Sequence, residues 1–250
     1  MSARSSAKKQ LPATRDGVDE NPGAAAKVLS TIIERSARVQ APAVKAYVDR
    51  LRQQSPHATP AQIVTRLEKH YLAAVMASGA AVGSAAAFPG IGTLAAMSAV
   101  AGETVVFLEA TSLYVLAVAE VYGIPADHRE RRRALVLAVL VGEDSKRAVA
   151  DLLGPGRTSG SWLADGAATL PLPAVSQLNS RLLKYFIKRY TLKRGAIAFG
   201  KLLPVGIGAV VGGVGNRMMG KRIVSNARNA FGDPPPRWPA AIHVLPAPRN

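Results

Sequence analysis

The sequence contains no cysteine, which excludes disulfide scaffolds, thiolate zinc sites, iron–sulfur clusters and cysteine nucleophiles together. Aromatic residues make up only 5% of the chain although 48% is hydrophobic. Sheets favour aromatic and β-branched residues, whereas an interior of small apolar side chains suits closely approaching helices. An all-α fold is therefore expected. The four histidines, His57, His70, His128 and His243, show neither i, i+4 pairing nor an H-x-x-E-H pattern, so no metal site or general base is indicated. A G-x-S-x-G elbow is missing too. The chain is not read as an enzyme, and no cofactor is expected.

Acidic residues are missing over one long stretch. Between Gly166 and Gly232 there is no Asp or Glu, against Arg181, Lys184, Lys188, Arg189, Lys193, Arg194, Lys201, Arg217, Lys221, Arg222 and Arg228. These eleven charges dominate a formal net charge of +16. A one-sign block attracts phosphate-bearing partners, either anionic lipid headgroups or nucleic acid. The first residues carry charges with no apolar run behind them, so a cleaved secretory signal is not expected. A cytoplasmic or cytoplasm-facing protein fits.

Residues 1–24 mix Ser, Lys, Asp, Pro and Gly without apolar periodicity, and residues 233–250 hold six prolines; both read as disordered or irregular tails around a helical domain over 25–232. Val28, Leu29, Ile32 and Ile33 predict one short amphipathic helix, and Val44, Tyr47, Val48 and Leu51 a second. Thr59 followed by Pro60 is the N-cap and first-turn proline of a third, whose buried stripe is expected at Ile63, Leu67, His70 and Tyr71. From Leu72 to Gly102 no residue carries a formal charge. Pro89-Gly90 splits this run, which predicts a helical hairpin turning there. Its second arm extends to about Tyr122 and contains Glu103, Glu109 and Glu120, which a lipid-facing helix tolerates poorly.

The segment ALVLAVLVGEDSKRAVADLL predicts one helix ending at Gly154, its first nine residues apolar all round and hence buried. Near Val175 another helix is expected. Leu182, Leu183, Phe186, Ile187 and Tyr190 share one of its arcs and Arg181, Lys184 and Lys188 another, the pattern of a basic amphipathic helix. A Gly-rich apolar segment and a second basic helix complete the domain.

Three motifs bear on chemistry. GNRMMGKR at 215–222 has the spacing of a phosphate loop, but Arg222 stands where magnesium needs Ser or Thr and no strand precedes it. RERRR at 129–133 reads as a solvated helix start or a lipid-headgroup contact. Glu103 and Glu109, in an apolar arm, read as buried carboxylates that need a cation, a donor or a proton, with ion pairing favoured over a functional site.

Taken in order, GAAVGSAAAFPGIGT at 79–93, ETVVFLEATSLYVLAVAEVYGI at 103–124 and LLPVGIGAVVGGVGN at 202–216 before a helix ending in ARNAF resemble the EcsC-like family of bacterial proteins over roughly residues 25–232. The resemblance implies a membrane connection, because the family's founding member is encoded beside the ATPase and permease of an ABC transporter. It implies no chemistry and no catalytic residues.

The expectation is a non-catalytic, membrane-associated helical protein at the cytoplasmic face of the membrane. It would dock on anionic lipid through Arg181, Lys184, Lys188, Arg189, Lys193 and Arg194, with Gly-rich helices packed beside or within the bilayer. An ABC transporter or other membrane protein is the implied partner, and a homo-oligomer is compatible with the pattern. The alternative is a soluble helical interaction module in the cytoplasm. Nucleic acid is disfavoured, because no aromatic interleaving or helix-turn-helix accompanies the charge.

Overall fold

The computed structural model describes residues 31, 41–85, 93–124, 126, 128–153, 170–197 and 207–239. Every regular element among them is an α-helix: α1 Ala41–Gln54, α2 Pro60–Ala85, α3 Thr93–Val121, α4 Arg129–Val141, α5 Glu143–Leu153, α6 Leu172–Ile197 and α7 Ile207–Phe231. The N-terminal tail, the helix expected over 28–33 apart from Thr31, the Pro89-Gly90 turn and residues 240–250 lie outside the described part.

Local sequence accounts for the start of α2 and the end of α3. At the start of α2 the backbone N–H of Thr59 donates to Gln62 Oε1 at 2.9 Å and the N–H of Gln62 donates to Thr59 Oγ1 at 3.3 Å, a reciprocal capping box ahead of a first-turn proline. The end of α3 is a Schellman motif. Gly123 adopts φ 67, its N–H donates to the Glu120 carbonyl at 3.0 Å, and that of Ile124 to the Ala119 carbonyl at 2.9 Å.

The helix expected over 134–153 is two helices. Gly142 turns between α4 and α5 with φ 74 and ψ −132, a conformation closed to side-chain-bearing residues, and Ser145 then bonds back to the Gly142 carbonyl through its N–H (2.8 Å) and its hydroxyl. A Cβ at position 142 would lie 2.7 Å from Asn226 Nδ2, and that amide donates to the Val139 carbonyl at 2.9 Å. Gly142→Ala is therefore expected to cost about 2–3 kcal/mol, from backbone strain plus the displaced amide. Urea unfolding of the two proteins checks it, and equal midpoints would refute the account.

The longest pairing joins α2 to α7, antiparallel, with the register set by contacts of Glu68 with Arg228, Leu72 with Gly220, Val75 with Asn216 and Ala80 with Gly213. Glycine permits the approach: a Cβ on Gly213 would lie 3.6 Å from the Met76 carbonyl oxygen, and one on Gly220 2.9 Å from Leu72 Cδ2. The two arms of the expected hairpin, α2 and α3, pack against one another, α1 lies on α3, and α4 packs on α6 and α7. Val44, Val48 and Leu51 of α1, Ile63, Leu67, Tyr71 and Val75 of α2 and most of α4 are buried in one core. Each such aliphatic side chain contributes about 1.5–3 kcal/mol of burial.

His70 departs from the expected stripe. It is exposed and its Nδ1 lies 2.6 Å from the Tyr47 hydroxyl, while the neighbouring Glu68 is buried in its place. The first residues of the Pro-rich segment are irregular in backbone and lie on the bundle. Trp238 Nε1 donates to the Ala58 carbonyl at 3.1 Å beneath the Arg52 guanidinium, 4.2 Å from the ring centre.

Candidate functional site

The basic helix α6 buries Val175, Leu178, Leu182 and Phe186 against α4 and α5. Arg181 and Lys184 are exposed on it, as the periodicity predicted. Lys188, Arg189, Lys193 and Arg194 continue the same helix, and their side chains lie outside the described part. Asn179 fixes the helix against α4, donating from Nδ2 to Glu130 Oε2 at 2.7 Å and to the Glu130 carbonyl at 3.0 Å.

The arginine run at the start of α4 is only partly solvated, with Arg129 exposed. Arg132 is buried and donates from Nη1 to the Ala126 carbonyl at 2.7 Å, and Arg131 and Arg133 are half-buried. These long side chains cover apolar surface and tie the preceding turn to the helix.

The phosphate-loop spacing at 215–222 lies wholly within α7, where the backbone N–H groups are engaged in the helix and unable to cradle phosphate. The motif works by helical period. Asn216 and Gly220 point at α2, with Asn216 Nδ2 donating to the Val75 carbonyl at 2.9 Å, while Arg217, Met218, Met219, Lys221 and Arg222 face outward. Met218 is 69% and Met219 48% exposed, and Val214 one turn earlier 52%.

Neither expected buried carboxylate is buried: Glu103 is half-buried and Glu109 exposed. Periodicity places Glu109 on the outer stripe of α3 with Gly102, Val106 and Leu113, all exposed. Among the described residues the buried carboxylate is Glu68. Arg228 reaches it from α7 with two parallel bonds, Nε to Oε1 at 2.7 Å and Nη2 to Oε2 at 2.5 Å, and this bond with Glu68 raises the arginine pKa further. Beside the pair, Tyr71 and Tyr114 stack with centroids 4.8 Å apart. Thr111 Oγ1 donates to the Phe107 carbonyl at 2.7 Å, so the Tyr71 hydroxyl, 2.9 Å away, is the donor to Thr111. Burial pushes both phenols well above their ordinary range, with Glu68 adding to the rise at Tyr114. Among the described residues no cluster of His, Asp and Glu forms a metal-binding group. A cleft lined by Gly142, Ser145, Lys146 and Asn226 has a volume of about 10 Å³, room for one water.

Gly102–Val121 is the one stretch among the described helices long and apolar enough to cross a membrane, and 56% of it is buried within the bundle. No protein-family model, curated protein or solved structure matches the chain.

Proposed function

We propose that this chain is a non-catalytic helical protein of the EcsC-like kind that docks on anionic lipid at the cytoplasmic face of a membrane through α6, as an accessory to a transporter or other membrane assembly. The observation that carries this reading is the acid-free stretch 166–232, whose cations Arg181 and Lys184 stand exposed on a helix anchored by Leu178, Leu182 and Phe186. A rigid helix that offers cations and has no acidic residue of its own holds headgroup phosphates at little ordering cost.

Neutralising Lys184, Lys188 and Arg189 together with Gln is expected to weaken binding to phosphatidylglycerol vesicles about a hundredfold at low salt, at about 1 kcal/mol per charge. The difference shrinks as salt screens the surface. Cosedimentation measures it, and unchanged binding would remove the mechanism.

A second reading, a soluble interaction module in the cytoplasm, draws support from α3, whose apolar stretch is more than half covered by other parts of the chain. Monodisperse behaviour without detergent and one cooperative thermal transition would favour it.

A further inference from the structure

Three of the seven large apolar side chains exposed among the described residues, Val214, Met218 and Met219, fall within six consecutive positions of α7. At about 3.6 residues per turn, Val214, Met218 and Ser225 run along the middle of the outward face. Arg217 and Lys221 flank that line on one side and Arg222 on the other, and all of these residues are exposed. The opposite face, Asn216, Gly220, Ile223, Val224 and Ala227, is sealed against the bundle. The outward face is thus held rigidly, with an apolar centre and cationic edges.

Resting on the lipid-docking reading above, we propose that α7 is a second docking element, which lowers Val214 and Met218 into the headgroup region of an anionic bilayer while Arg217, Lys221 and Arg222 hold lipid phosphates. Interfacial helices divide their apolar and basic residues in this way, and lysine and arginine stems follow an apolar surface while their charges stay with the headgroups. Charge complementarity selects the occupant. No carboxylate lies in 166–232 to repel phosphate, and no aromatic residue lies between Gly213 and Asn229 on which a nucleic-acid base would stack. Three apolar side chains also fall short of the patch that holds two protein copies together. Methionine, flexible and unbranched, fits the irregular acyl boundary.

The absence of cysteine makes the test direct. Met218→Cys, labelled with an environment-sensitive dye, would carry the only thiol of the 250-residue chain. With mixed phosphatidylglycerol and phosphatidylcholine vesicles its emission should shift to the blue, while the same dye on Arg50→Cys, exposed on α1, should not respond. Met218→Ser with Val214→Ser should lower vesicle affinity about tenfold at low and high salt alike, the signature of lost apolar burial. Lys221→Gln with Arg222→Gln should lower it at least tenfold at low salt only. Both sites are exposed, and unchanged helical circular dichroism would certify the fold.

Wild-type protein that binds no vesicle would defeat the docking reading and this inference with it. Vesicle binding without a shift at position 218 would overturn the role of α7 and leave that of α6 standing. A blue shift without lipid that grows with protein concentration would assign the face to a second copy, and full displacement by RNA at equal phosphate would assign it to polyanions; either result overturns the proposal.

Discussion

Replacing Arg228 with Met is expected to destabilise the fold by about 2–3 kcal/mol, while replacing Glu68 with Leu should cost less than about 1 kcal/mol. The asymmetry follows from burial. The Glu68 side chain is 7% exposed and that of Arg228 65%, so losing the arginine strands a carboxylate away from water, whereas losing the glutamate releases a guanidinium into solvent. The cost stays below that of a deeply buried pair because water reaches the site from the arginine side. The double variant Glu68→Leu with Arg228→Met should recover most of the loss, since an apolar pair of similar volume leaves nothing unsatisfied between α2 and α7. A double-mutant cycle in urea measures this. Equal small effects of both single changes would class the pair with ordinary surface ion pairs.

Alkali should unfold the protein more steeply than its lysines and arginines alone account for. Tyr71 and Tyr114 are held far above the ordinary phenol value by burial, and Tyr122 is pushed up to about 12, chiefly by burial and then by the nearby Asp233. Tyr122 also donates its proton to the Gly232 carbonyl at 2.7 Å, closing the end of α7 onto α3. A folded-state pKa above the unfolded value means that the unfolded chain releases these protons first. The stabilisation is therefore complete below the unfolded value of 10.0 and is lost as pH rises through the folded values. Tyr71 and Tyr114 together remove about 3 kcal/mol per pH unit once that threshold is passed. Urea midpoints taken across pH 10, with tyrosinate absorbance followed in parallel, should fall together, and Tyr114→Phe should remove about half of the part of the slope that Tyr71 and Tyr114 contribute. Phenols that titrate near pH 10 without loss of helix would contradict the packing described for them.

These expectations rest on residues that the sequence marks unequally. Thr59-Pro60 with Gln62 spells out the start of α2 in four residues, because a capping box is a contact within a single turn. Val44, Val48 and Leu51, like Leu182 with Phe186, announce buried faces through helical period alone. Gly142 carries no such mark. Its break depends on a positive φ, and a lone glycine in an apolar run does not reveal whether the chain turns there. Glu68 and Glu109 separate for a related reason. Both sit in helices with apolar faces, and which carboxylate is buried depends on where a partner helix lies and on whether that partner brings an arginine.

Local pattern suffices for the all-α class, the arms of the hairpin, the exposed cations of α6 and the acid-free charge of residues 166–232, because helical period, capping and charge act over one or two turns. Long-range packing alone places α7 antiparallel on α2, brings Arg228 to Glu68 across 160 positions of sequence, and turns Asn216 and Gly220 of 215–222 inward and Met218 outward. Those outcomes depend on which surfaces of distant segments fit at close range, with glycine where backbones meet and hydrogen bonds where polar atoms leave water. Local pattern does not encode such complementarity.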